Sequence, residues 1–370
     1  MLTGMQWPYG VPLLEVPVMF DAYSLARPNI RDLKPYSSAR DEFTGHADVF
    51  LDANENAFGS PIAANLNRYP DPLQRELKSA IAERYGVATD SIFVGNGSDE
   101  AIDLLVRVFC SPAADEIIVC PPTYGMYRVT ADVNDVGLRE VPLTPEFHLD
   151  ADGIRGAVTT ATKLIFICSP NNPTGNAFDR EQILSIASDV NAIVIVDEAY
   201  GDFYEGPSLV GSVAHQPNLV VLRTLSKAYG LAAARVGLAF ADPAIISLLN
   251  KAKPPYNVNE LSQKAAIEAI SQHGKVSAMT RQIRTERERL RAELPRLRIV
   301  QEVFPSDANF LLVRFTGPLE VYRELVRRGI VVRDRTREYG CADCLRITVG
   351  TPQENDRLLE ALKEISAGGE

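Results

Sequence analysis

Between residues 91 and 240 the chain repeats one pattern: a short apolar run, a polar loop, and a stretch compatible with a helix. The runs fall at 91–94, 116–120, 164–168, 192–196, 219–222 and 236–240. Most are continuously apolar rather than alternating, which predicts strands covered on both faces. The helix-compatible stretches between them predict an α/β sheet, mainly parallel, lying between helices. Ahead of it, Leu73, Leu77, Ile81 and Tyr85 form an i, i+4 stripe after Asp71-Pro72, and Gly86 ends it, which predicts a helix. The texture changes near Lys253-Pro254-Pro255. Beyond it the pattern predicts a long charged helix at 275–294, a strand at 310–314 and a helix at 318–328. Strands near 330–333 and 345–349 and a last helix at 353–366 follow. That order reads as a smaller α+β domain, to which 49–54 can add a strand. Residues 1–35 read as an irregular, Pro-rich arm. The expected division is an arm at 1–35, a large domain at 62–255, and a small domain made of 36–61 and 256–370.

Composition narrows the function classes. A chain of 370 residues is long enough for two domains, and 46% hydrophobic with 23% charged residues is globular rather than disordered. With 38 Lys and Arg against 48 Asp and Glu, the net charge is −10, which argues against nucleic acid or an anionic membrane as partner. No apolar run reaches membrane-spanning length. Pro8, Pro12 and Pro17 interrupt any signal-like core, so a cytoplasmic protein is expected. Five cysteines suit a reducing compartment. The Cys341/Cys344 pair lacks companion ligands, because His46, His148, His215 and His273 are scattered, and no metal site is expected.

The candidate chemistry follows the apolar runs, where ligands of open α/β sheets bind. Gly97-Ser98-Asp99 follows the first run and leads into an apolar helix. Ser98 is a suitable N-cap, and the helix start is a ready phosphate cradle, although plain capping would use the same residues. Ser169-Pro170-Asn171-Asn172-Pro173-Thr174-Gly175 is a rigid turn, read either as a connection or as a mount for the Asn172 amide. Asp197 ends the run in Val194-Ile195-Val196-Asp197-Glu198. A carboxylate there needs a positive partner. A protonated pyridine nitrogen is one; a metal bound by Asp197 and Glu198 is the alternative. Lys227, in Thr224-Leu225-Ser226-Lys227, is the residue able to condense with an aldehyde, although a lone lysine also reads as a surface residue.

With these residues in view, the sequence resembles the fold-type I, pyridoxal-phosphate-dependent aminotransferases over nearly its full length, and among them the histidinol-phosphate group. Asn172, Asp197, Lys227 and Arg346 carry the superfamily likeness. Leu33-Lys34-Pro35-Tyr36, Asp52-Ala53-Asn54-Glu55-Asn56, Asn67-Arg68-Tyr69-Pro70 and Tyr124-Gly125-Met126-Tyr127 narrow it. The resemblance implies a large domain with a mainly parallel sheet between helices, and a smaller α+β domain. It implies that Lys227 holds pyridoxal 5′-phosphate as a Schiff base and moves the substrate proton. Asp197 would pair the pyridine nitrogen, Asn172 and Tyr200 the phenolic oxygen, and Tyr124 would stack on the ring. Ser98, Asp99, Thr224, Ser226 and Arg235 would hold the phosphate, with Tyr69 reaching it from the other subunit of a homodimer. Tyr36, Asn54, Arg333 and Arg346 would bind the substrate.

The implied reaction is ping-pong amino transfer between histidinol phosphate and 2-oxoglutarate, with glutamate as the product, in histidine biosynthesis. Aromatic amino-acid transamination and phosphothreonine decarboxylation are alternatives on the same fold. A ligand-sensing regulator is a further one, but it would need a DNA-binding module. Two positions depart from the family's usual residues: Ala57 stands where proline is frequent, and Ala233 where glycine is.

Overall fold

The computed structural model of the chain describes residues 20–36, 48–62 and 65–367. The expected arm at 1–35 lies in large part outside the described residues, as do residues 37–47 of the expected small domain. The larger body is built on a seven-stranded sheet. Its strands are β1 (Ile92–Asn96), β2 (Glu116–Val119), β3 (Gly137–Glu140), β4 (Thr162–Cys168), β5 (Ile193–Asp197), β6 (Leu219–Thr224) and β7 (Val236–Phe240). They lie in the order β1-β7-β6-β5-β4-β2-β3, with β7 antiparallel to both neighbours and every other pairing parallel. Successive side chains of a strand face opposite ways. Here they feed two separate cores: Ile165, Ile167, Val194 and Val196 enter one, and Leu164, Phe166, Ile193 and Ile195 the other. Burial on both faces explains the unbroken apolar runs.

The helix Arg75–Tyr85 ends on Gly86 in the left-handed region, at φ 69°, where glycine carries no Cβ penalty. Residues 20–36 are less irregular than the sequence reads. Two short helices, Ala22–Leu25 and Pro28–Arg31, form there, and Ala22 and Ala26 are buried in the second core.

The second sheet comprises β8 (Val300–Val303), β9 (Phe310–Phe315), β10 (Arg333–Asp334) and β11 (Cys344–Thr348), antiparallel in the order β10-β11-β9-β8. The helices His273–Glu293, Pro318–Arg327 and Pro352–Ala367 bring Leu290, Leu325, Leu358 and Leu362 into a core with Leu311, Val313, Leu345 and Ile347. Residues 49–54 add no strand: Val49 and Leu51 are exposed, and Asn54 takes φ 54°. The helix Glu260–Ser271 lies past the expected boundary at 255, yet its Ala266 and Ile270 share a core with Leu77 and Ile81 of the helix Arg75–Tyr85. Among the described residues no helix is long and apolar enough to cross a membrane.

Candidate active site

The loops after β1, β4, β5 and β6 converge at one end of the large sheet. A single cleft there is lined by Ser98, Asp99, Tyr124, Asn172, Asp197, Tyr200, Thr224, Ser226, Lys227 and Arg235, together with Cys168 and Ala199. Glycines make this approach possible. A Cβ on Gly237 of β7 would lie 2.0 Å from Ser98 N, so only glycine lets the helix Ser98–Phe109 press onto that strand. Gly97, at φ 81°, turns the chain into the helix, and a Cβ there would meet Arg235 Nη2 at 2.5 Å. The N-cap is therefore Gly97 and not Ser98, because the cap position demands a backbone that serine rarely adopts.

That correction matters chemically. No side chain caps this helix, so its first-turn N–H groups keep their bonding capacity beside the cleft, where an anion is favoured. Thr224 and Ser226 lie opposite. Thr224 Oγ1 accepts from Ser226 N at 3.1 Å, while the buried Ser226 Oγ has no hydrogen-bond partner. Arg235 donates to Asp99 Oδ2 at 3.1 Å. The helix start, two hydroxyls and a guanidinium make a cradle that fits a phosphate.

Asp197 sits at the end of β5, 3% exposed. Tyr127 donates its hydroxyl to Oδ2 at 2.8 Å, and Ala199 N donates to Oδ1 at 3.0 Å. Burial nonetheless pushes its pKa up to about 6, because a dry site disfavours the charged form. Such a carboxylate is stabilised by any cation that enters the cleft. A metal is a poor candidate: Glu198 is already paired with buried Arg223 at 2.9 Å, and Asp202 holds the same guanidinium at 2.6 Å. Among the described residues no cluster of three His, Cys, Asp or Glu is placed to hold a metal ion.

Lys227 is open to solvent at the cleft, with Nζ 5.6 Å from the Tyr200 ring centroid. Partial burial of the amine at the cleft, and next the Arg346 guanidinium, lower its pKa, which raises the neutral, nucleophilic fraction. The Tyr200 hydroxyl is pushed up to about 12, chiefly by burial, and its ring packs edge-on against Phe310. Arg346 Nη1 donates to Asn172 Oδ1 at 2.6 Å and lies over the Phe310 ring at 5.1 Å. The turn that carries Asn172 is pinned from both sides. Asn171 Nδ2 donates to Pro122 O at 2.9 Å, and a Cβ on Gly175 would meet Ser306 Oγ at 2.6 Å.

The remaining expected residues lie elsewhere in this chain. Arg333 stands directly opposite Arg346 in the β10–β11 ladder, so both share a face. Tyr69 stacks on Tyr256, ring centroids 4.5 Å apart, beside a second cavity that Asn54 also lines. Tyr36 is exposed, near Pro72 and Arg75. Ala233 falls in the 3₁₀ turn Ala232–Ala234, a conformation that alanine adopts freely.

Three features escaped the sequence reading. Tyr127 belongs to a recognised motif, but nothing in the sequence joins it to Asp197, seventy residues away. The buried Arg223–Glu198–Asp202 cluster ties the ends of β5 and β6 together. Arg335 extends the ladder, its N–H donating to Cys344 O at 3.1 Å. Its spacing of two from Arg333 puts a third arginine on the face that carries Arg346.

Comparison with known proteins completes the description of the site. A family model described as aminotransferase class I and II matches residues 48–362. The chain is 51% identical over 344 residues to the histidinol-phosphate aminotransferase of Cytophaga hutchinsonii, covering 93% of this chain and 99% of that protein. It is 51% identical over 347 residues to the protein of the same name from Parabacteroides distasonis, covering 94% and 99%. Among solved structures, the histidinol-phosphate aminotransferase from Clostridium acetobutylicum superposes with a TM-score of 0.76 at 26% identity, over 82% of this chain and 91% of that one. The Sinorhizobium meliloti enzyme, solved in complex with pyridoxal-5′-phosphate, gives 0.74 at 26% identity, over 85% and 90%.

Proposed function

This chain belongs to the class I and II aminotransferases, and on that premise we propose that it moves an amino group between L-histidinol phosphate and 2-oxoglutarate, with pyridoxal 5′-phosphate as cofactor, in histidine biosynthesis. The observation that carries the reading is the layout of the cleft. An accessible lysine of lowered pKa, a buried carboxylate and an anion cradle surround one space. They match the cofactor's aldehyde, its ring nitrogen and its phosphate.

When bound, pyridoxal phosphate supplies an aldehyde that condenses with amines and a cationic ring that draws electrons from the substrate's Cα–H bond. The chain's own residues do the rest. Lys227 would anchor the aldehyde and, once the substrate amine has displaced it, would carry the proton from Cα to the cofactor carbon that bore the aldehyde. Asp197 would supply the counter-charge that keeps the ring nitrogen protonated. Asn172 and Tyr200 would hydrogen-bond the phenolic oxygen, and Tyr124 would cover the ring. Ser98, Asp99, Thr224, Ser226 and Arg235 would hold the phosphate. Arg346, with Arg333 on the same face, would receive the distal anion of the substrate, whereas Tyr36 and Asn54 lie away from this chain's own cleft. Amino transfer from histidinol phosphate to 2-oxoglutarate, with phenylalanine as the competing donor, tests this reading; preference for phenylalanine contradicts it.

The enzyme works as a cytoplasmic homodimer in which Tyr69 serves the neighbouring subunit's phosphate site. Its position supports this: Tyr69 lies outside its own chain's cleft, itself exposed and beside exposed Leu261. Apolar surface of that kind marks an interaction face. Mixing inactive Tyr69→Ala with inactive Lys227→Ala subunits is expected to restore about a quarter of the wild-type activity, from one intact site in each mixed dimer when half the dimers are mixed. No recovery after verified subunit exchange would place Tyr69 outside the shared site.

A further inference from the structure

The environment of Asp197 points to a residue that the cleft lining does not include. Tyr127 is fully buried, in the helix Met126–Val133. Its ring is stacked on Phe166 with centroids 4.7 Å apart and meets the edge of Tyr124 at 5.6 Å. Those contacts fix the ring, and the hydroxyl has Asp197 Oδ2 at 2.8 Å. Resting on the assignment of Asp197 as the counter-charge of the cofactor's ring nitrogen, we infer that Tyr127 is a positioning residue that keeps Asp197 ionised and aimed, and so sets the lower pH limit of cofactor binding.

The argument is one of competing effects on a single carboxylate. Burial pushes the Asp197 pKa up, and nearby Asp99 adds to it. The Tyr127 hydroxyl, the Ala199 N–H and the more distant Lys227 pull it down, the Tyr127 bond foremost. The Cys168 thiol and the Tyr124 and Tyr200 hydroxyls also face this carboxylate. Burial drives all three pKa values upward, which keeps these groups neutral. Tyr127 itself is held neutral by burial, so it remains a donor throughout the working range. Phenylalanine would keep the stacking and remove only the donor, leaving Oδ2 unsatisfied in a dry site. The carboxyl pKa then rises, and Asp197 takes up its proton at a higher pH. A cationic ring nitrogen loses its counter-charge as that happens, so the acid limb of cofactor affinity must move to higher pH.

Pyridoxamine 5′-phosphate is the probe, because it carries an amine in place of the aldehyde and cannot condense with Lys227. Its Kd is measured from pH 5.5 to 8.5 on wild type, Tyr127→Phe and Asp197→Asn, and each variant is read against wild type so that the ligand's own titrations cancel. Tyr127→Phe is expected to bind about fivefold more weakly at pH 6 and about eightfold at pH 5.5, equivalent to an acid limb one pH unit higher, and within about twofold of wild type at pH 8.5. A uniform loss at every pH, or curves that superimpose, overturns the inference. Asp197→Asn separates the two levels of the claim: wild-type affinity in that variant overturns the Asp197 assignment itself. Should Tyr127→Phe not fold, 3-fluorotyrosine at position 127, a stronger donor of nearly the same size, must move the acid limb to lower pH. An unmoved limb overturns the inference.

Discussion

Lys227→Ala loses amino transfer by about ten-thousandfold or more, while its thermal unfolding matches wild type. On the proposed roles two functions vanish with one side chain: the amine that would anchor the cofactor's aldehyde, and the base that would carry the Cα proton. General acid–base catalysis alone contributes about a hundred- to ten-thousandfold, and loss of the anchor adds to it. The fold is spared because the Lys227 side chain is exposed at the cleft, and surface substitutions usually stay within about 0.5 kcal/mol. Single-turnover amino transfer measures the loss, and peptide mapping after borohydride reduction locates the cofactor. Normal turnover, with the adduct retained on another lysine, would remove Lys227 from the mechanism.

Arg346→Ala lowers kcat/KM with both histidinol phosphate and glutamate by about thirty- to a few thousandfold. Truncating one partner of a buried, hydrogen-bonded charge pair costs about 2–5 kcal/mol, and that energy converts to those ratios. Histidinol phosphate has no carboxylate, so on the proposed reading the arginine that receives glutamate would serve a distal phosphate as well. A phosphate near neutral pH carries close to two charges, which two guanidinium forks satisfy bidentately. Arg333 shares the Arg346 face and is exposed beside it. Its loss therefore falls mainly on the dianion, and Arg333→Ala depresses turnover of histidinol phosphate far more than that of glutamate. Steady-state kinetics with each donor distinguish the two arginines; equal losses in Arg333→Ala would remove its role as the second phosphate clamp.

The same sequence that announced this cleft concealed parts of the fold, for identifiable reasons. β4, β5 and β6 were legible because both faces are buried, which forces an unbroken apolar run. β3 and β8 were not. Gly-Leu-Arg-Glu and Val-Gln-Glu-Val are edge strands, and their polar positions answer to solvent rather than to a core. Lys253-Pro254-Pro255 read as a boundary, yet the helix Glu260–Ser271 returns to the large body. The Lys253 amine is buried beside the prolines and donates to Pro72 O at 2.7 Å. Ser98 read as the cap because serine is a good one; the backbone angle at Gly97 decided otherwise. Tyr127 shows a different limit. Its type and motif were visible, but its use depends on a hydrogen bond that only the folded chain creates.

The central claim is the identity of the amino donor, and it is tested most directly by kcat/KM of the purified holoenzyme for histidinol phosphate and for phenylalanine, each with 2-oxoglutarate as acceptor. The account predicts a preference for histidinol phosphate of about a hundredfold or more, the discrimination expected where two neighbouring guanidinium groups are fully satisfied by a phosphate dianion and only in part by a single carboxylate. Equal efficiency with the two donors, or a preference for phenylalanine, would contradict it.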